Sequence, residues 1–127
     1  MNDIEQLVEQ VIGAAIEVHR VFGAGFKEST YHRAMMVELG LREIPFESEV
    51  PVQLKYKNET VGEGRIDLLI DKRLVVELKA VVASSDIFRR QVVAYLKASK
   101  LSLGLVINFE VDLLKQGIAR ASNSEHH

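Results

Sequence analysis

Apolar side chains recur at Ile4, Leu7, Val8, Val11, Ile12, Ala15 and Ile16, with Glu5, Glu9, Gln10 and Glu17 between them. Spacings of three and four residues predict an amphipathic helix over the first twenty residues. Phe22-Gly23-Ala24-Gly25 interrupts the pattern, which resumes through Glu28, Tyr31, Met35, Met36 and Leu39 and predicts a second helix over 26–39 closed by Gly40. After Pro45 the period changes to two. Residues 46–56, carrying Val50, Val52 and Leu54, read as a strand, 57–59 as a tight turn, 60–70 as a second strand, 71–73 as a polar connection and 74–81 as a β-branched third strand.

Ser84, Ser85 and Asp86 offer N-caps for a helix whose apolar stripe is Ile87, Phe88, Val92, Tyr95 and Leu96 and which ends near Lys100. The almost wholly apolar run 103–109 reads as a central strand buried on both faces. The order is α-α-β-β-β-α-β with a short final segment and no internal repeat, so the fold class is mixed α/β (α+β), a small sheet flanked by helices, in one domain over 1–120. The polar end ASNSEHH, 121–127, loses all periodicity and reads as a disordered tail, which leaves His126 and His127 out of any site.

Composition narrows the chemistry. At 127 residues, 47% hydrophobic and 27% charged, the chain has the makeup of a soluble domain with one core. A net charge of −2 advertises no polyanionic partner, so any nucleic-acid surface has to be local. The absence of cysteine excludes disulfides, thiolate zinc sites, a cysteine nucleophile and cysteine-ligated iron–sulfur clusters, so a metal would be held by oxygen or imidazole. The N-terminal segment lacks the basic start and unbroken apolar core of a signal peptide, and no run approaches the roughly 20 apolar residues of a membrane span. A cytoplasmic protein is the expectation.

Along a strand, side chains alternate between faces, so Val75, Glu77 and Lys79 share one side of the third strand, and Glu63, Arg65, Asp67 and Leu69 one side of the second. A hairpin turn at 71–73 brings Asp67 across from Glu77. Two carboxylates so placed repel unless a cation lies between them, and their oxygens suit hard Mg²⁺ or Mn²⁺. Taken alone, the same residues also read as a surface ion pair, Glu77 with Lys79, beside an exposed Asp67.

Asp67, then after nine intervening residues Glu77-Leu78-Lys79, and Gln91-Val92-Val93-Ala94-Tyr95 on the next helix follow one another in order. With this pattern the chain resembles the PD-(D/E)XK nuclease superfamily. Gly25-Phe26-Lys27-Glu28-Ser29-Thr30-Tyr31 makes it similar, within that superfamily, to the small bacterial family named for its G-x-x-E-x-x-Y motif. The likeness runs from Ile4 to Arg120 and includes the strand end Ile107-Asn108-Phe109; the proline that commonly precedes the first carboxylate is Ile66 here.

The resemblance implies a restriction-endonuclease-like core and a Mg²⁺- or Mn²⁺-dependent nuclease acting on DNA, less readily on RNA. It implies that Asp67, Glu77 and the Leu78 carbonyl are metal ligands, that Glu28 completes the metal site, and that Lys79 orients or deprotonates the attacking water. Gln91 and Tyr95 would steer the lysine and the phosphate. Plainer readings stay open beside these: Lys79 as counter-ion to Glu77, Glu28 as a helix-capping carboxylate, Gln91 as a buried amide, Tyr31 as a core residue with a wet hydroxyl, and His19 as structural rather than reaching the site.

Arg65, Lys72, Arg73, Arg89, Arg90, Lys97 and Lys100 would track a phosphate backbone around the cleft, or are simply solvated surface charge. The competing functions are a catalytically inactive nucleic-acid-binding or protein-interaction module, and a structural ion-pair network. So short a chain has little beyond the core for substrate choice, which points to a homo-oligomer or a protein partner.

Overall fold

In the computed structural model residues 3–123 are described. Helix α1 spans Ile4–Phe22 and α2 Glu28–Leu41; strands β1, β2 and β3 span Phe46–Tyr56, Glu59–Ile70 and Leu74–Lys79. Helix α3 spans Asp86–Ser99, β4 Leu103–Asn108, and a short 3₁₀ turn, Leu114–Gly117, leads into β5, Ile118–Ser122. Asp3 starts α1 by accepting the Gln6 N–H at 2.9 Å.

The five strands form one mixed sheet in the order β1-β2-β3-β4-β5. Both predicted hairpins form, and their turn residues Lys57, Asn58, Asp71 and Lys72 take the positive φ that a two-residue hairpin connection requires. β3 and β4 are parallel, joined through α3 as crossover, while the other neighbours are antiparallel. One apolar cluster packs α1 and α2 on one face of the sheet, through Val11, Tyr31, Met35, Leu78 and Ile107. A second packs α3 on the other face, through Val75, Val92, Leu96 and Val106. β4 is buried along its whole length, as its sequence predicts.

The strand β5 corrects the reading of the C-terminus. Ala121 is 2% exposed and lies opposite Gly104, and Asn123 N–H donates to Ser102 O at 3.0 Å, so 121–123 complete the sheet instead of starting a tail. The rest of that segment, 124–127, is outside the described residues. At the end of α2 the left-handed residue is Glu43, φ 56°, and Gly40 stays inside the helix. Glycine is the residue that takes positive φ there without strain, yet the Ile44 N–H to Leu39 O bond closes the helix over Glu43.

The other departure shapes the site. Phe46 and Leu68 pack with the α1–α2 cluster, whereas Val50, Val52 and Ile66 pack with the α3 cluster. Regular alternation would put Phe46 with Val50, and Leu68 with Ile66, on the same face. Both strands therefore turn over between these positions, at Glu49, whose φ is 55°, and at Asp67 opposite it; the pairs Ser48–Leu68 and Val50–Ile66 flank the break. The expected shared face for Glu63, Arg65, Asp67 and Leu69 does not exist, because strand β2 reverses its faces at Asp67.

Candidate metal centre

The turnover forks the sheet. β2 and β3 pair from Ile70–Leu74 to Leu68–Val76 and no further, while β3 continues beside β4 to Lys79–Asn108. Side chains take over where the β2–β3 ladder stops. Asp67 N–H donates to Glu77 Oε1 at 3.1 Å, and Leu78 N–H donates to Asp67 Oδ2 at 2.8 Å. Each carboxylate is thus tied to the other's strand, and the pair sits in the fork.

Glu77 is only 3% exposed and Asp67 is half-buried. Burial, the Asp67 charge and, more weakly, the charge of Glu28 push the Glu77 carboxyl up to about 7, against the pull of the Asp67 N–H and of Lys79. Burial also raises Asp67, offset by the Leu78 N–H, by His32 and by Lys79. Glu28, at the N-terminus of α2, is raised by partial burial, while Lys79 pulls it down.

Around this pair, the backbone locks the end of β3. Phe109 N–H donates to Lys79 O at 2.8 Å. The fully buried Asn108 amide donates to the carbonyls of Val81 and Ala83 and accepts from the N–H groups of Val81 and Glu110. With every amide function used, Asn108 fixes the loop that follows Lys79.

The G-x-x-E-x-x-Y segment has a structural logic as well. Gly25 takes φ 107°, a conformation that a side chain would strain, and its N–H donates to Glu110 Oε1 at 3.0 Å. Tyr31, 0% exposed, stacks on Phe109 with ring centroids 4.4 Å apart, donates to Gly23 O at 2.5 Å and accepts from Phe26 N–H. Its hydroxyl is bonded to backbone as both donor and acceptor. The glycine bends the loop, the tyrosine pins it to the core, and Glu28 opens the helix three residues earlier.

Among the described residues no three His, Asp or Glu side chains are grouped closely enough to hold one metal ion, and Glu28 stands apart from the Asp67–Glu77 pair. Mounted on the first turn of α2 and exposed, it is near enough for its charge to be felt at Glu77. His19 bonds through Nε2 to Val111 O at 2.9 Å, which anchors α1 to the loop after β4.

Gln91 donates to the Tyr95 hydroxyl at 3.2 Å, and the Tyr95 ring lies directly over Gly64, where even a Cβ would collide with it. The two residues bond each other; the α3 side chain that meets the lysine is Phe88, whose ring centroid is 4.8 Å from Lys79 Nζ. Phe88 stands three residues before Gln91 on the same helix face, so helical spacing held that signal.

His32 is the second residue the sequence reading missed. One turn after Glu28, it bonds to Ser48 Oγ at 2.8 Å and its charge reaches Asp67 and Glu28. Of the basic residues, Lys72 and Arg73 lie at the β2–β3 turn, at the opposite end of β3 from Lys79, and Lys97 and Lys100 lie at the C-terminal end of α3. Arg65 pairs with Glu49 and Arg89 with Asp86. Lys72, Arg73, Lys97 and Lys100 therefore lie away from the fork, while Arg65, paired with the residue opposite Asp67, and Arg89, next to Phe88, stay beside it.

A sheet forked between its second and third strands, with an acidic residue on each side of the fork and a lysine two residues beyond, sets this domain in the restriction-endonuclease-like class. The family model described as the PD-(D/E)XK nuclease superfamily matches residues 5–121. The chain belongs to that superfamily. The comparisons with curated proteins and with solved structures found no match. No helix among the described residues is long and apolar enough to cross a membrane.

The superfamily's use of divalent metal ions can be tested on the donors at the fork. Mg²⁺ is ordinarily held by one or two carboxylates, with water and substrate phosphate filling the remaining positions. Asp67 and Glu77, all-oxygen and mutually repelling, fit that pattern.

Proposed function

We propose that the protein is a divalent-metal-dependent nuclease that hydrolyses phosphodiester bonds of DNA, and RNA less readily, in the cytoplasm. In this reading Asp67, Glu77 and the Leu78 carbonyl hold Mg²⁺ or Mn²⁺, and the G-x-x-E-x-x-Y segment assigns the chain to the branch named for that motif. The observation that carries it is the bonded pair Asp67–Glu77, whose buried Glu77 carboxyl is pushed up to about 7 beside a lysine. A structural ion-pair network has no use for a carboxylate made this costly to ionise, whereas a cation between the two relieves both.

The cation, when bound, supplies a Lewis acid for the scissile phosphate and lowers the pKa of the attacking water. The protein's own groups do the rest. Lys79, half-buried two residues after Glu77 on the same strand face, orients the water and meets the charge that grows on the phosphate oxygens. In the same reading Glu28 on α2 completes the metal site through water, His32 one turn on holds further water at the phosphate, and Gln91 and Tyr95 brace α3 over β2. Substrate choice falls to loops, a second copy or a protein partner.

Lys79→Ala is expected to lower cleavage of plasmid and oligonucleotide DNA about a hundredfold with Mg²⁺, the usual cost of removing one group that stabilises transition-state charge. Wild-type cleavage is expected to stop with chelator and return with excess Mg²⁺. An absence of cleavage across DNA and RNA panels with both ions would contradict the proposal, and so would an alanine variant as fast as wild type.

A further inference from the structure

The Lys79 ammonium is held by an aromatic face. Its Nζ lies 4.8 Å from the centroid of the Phe88 ring, within the roughly 6 Å over which a ring quadrupole attracts a cation. Without such a seat a flexible lysine among Asp67, Glu77 and Glu28 would collapse onto one carboxylate, since all three feel its charge. A ring attracts the ammonium without taking its proton or bonding its hydrogens, so the donors stay available.

The seat itself is rigid. Phe88 is the third residue of α3 and packs on the α3-side cluster. Its N–H donates to Ser85 O at 3.1 Å, and the buried Ser85 hydroxyl donates to Gly117 O at 2.6 Å, which fastens the start of the helix to the turn before β5. Ser85, which the sequence offered as an N-cap, is spent on that anchor.

We propose that Phe88 is a positioning residue that seats the Lys79 ammonium on its ring face and keeps it clear of the carboxylates. The consequence for cleavage rests on the nuclease reading above; the seat itself does not. The competing account, in which Phe88 only fills apolar space, predicts that leucine serves as well as phenylalanine.

Two readouts separate them. By NMR the Lys79 Cε protons, assigned by their loss in Lys79→Ala, are expected to be shifted upfield by the ring in wild type and in Phe88→Tyr, and to return to ordinary lysine positions in Phe88→Leu. In cleavage, Phe88→Leu is expected to lower kcat about 5- to 30-fold with KM nearly unchanged, while Phe88→Tyr and Phe88→Trp keep the wild-type rate. Lysine resonances that do not move in Phe88→Leu, or a leucine variant with wild-type kcat, would overturn the proposal. If wild type cleaves nothing, the nuclease reading fails and the ring shift alone decides the seat.

Discussion

Glu77→Gln is expected to stabilise the metal-free protein above pH 7 while reducing cleavage at least about a thousandfold. The Glu77 carboxyl sits at about 7 in the folded protein against 4.5 when free. The folded chain therefore holds a proton that the unfolded chain releases between these values, so stability falls as pH rises through that window and stays reduced above it. A shift of this size corresponds to something on the order of 3 kcal/mol. Burial is its largest cause and the Asp67 charge the next. Glutamine keeps the oxygen that accepts the Asp67 N–H and has no proton to lose, so the pH slope should flatten and the neutral-pH melting temperature rise. The loss of activity follows because a neutral amide is a weak ligand for a hard cation, whose contribution to phosphate cleavage is several kcal/mol. Melting curves from pH 5 to 8 check the first half, and a cleavage assay with Mg²⁺ checks the second. A variant that is less stable than wild type above pH 7 would mean that burial does not burden Glu77.

Tyr31→Ala is expected to cost about 3–5 kcal/mol of folding stability, the usual range for deleting a large buried aromatic. Three losses add up: the stack on Phe109, the hydroxyl bond to Gly23 O, and the acceptor for Phe26 N–H. That is a large share of the roughly 5–15 kcal/mol typical of a domain. Tyr31→Phe retains the stack and leaves the two backbone groups unmet, for about 1–3 kcal/mol. Denaturant unfolding of the pair orders them, and equal stability of the two variants would contradict this account of the segment.

Much of the site is legible without coordinates because it depends on local rules. Glu77 and Lys79 share a face by strand alternation, and a two-residue turn at Asp71 and Lys72 leaves Asp67 opposite Glu77. What alternation cannot reveal is its own failure. Glu49 carries no mark of a left-handed residue, so the turnover that opens the fork at Asp67, and with it the faces of the outer halves of β1 and β2, emerges only from tertiary packing.

Strand β5 escapes notice for a similar reason. Ile118-Ala119-Arg120-Ala121-Ser122 is short and only weakly apolar, and its place is set by pairing with β4. The distant cations fail by another route: nearness in sequence to the strand that carries Glu77 and Lys79 says nothing about which end of that strand they occupy. Phe88 reads as part of the apolar stripe of its helix, and an apolar stripe does not distinguish a side chain that fills the core from one that also faces an ammonium.

Calorimetric titration of Mn²⁺ into the metal-free protein tests the central claim most directly, with Asp67→Ala alongside and the pH held above the Glu77 value of about 7. One ion per wild-type chain is the predicted result, with affinity that weakens as pH falls below that value and binding that vanishes in Asp67→Ala. Equal binding by both proteins, or none by wild type, would contradict the assignment of the forked carboxylate pair as a metal centre.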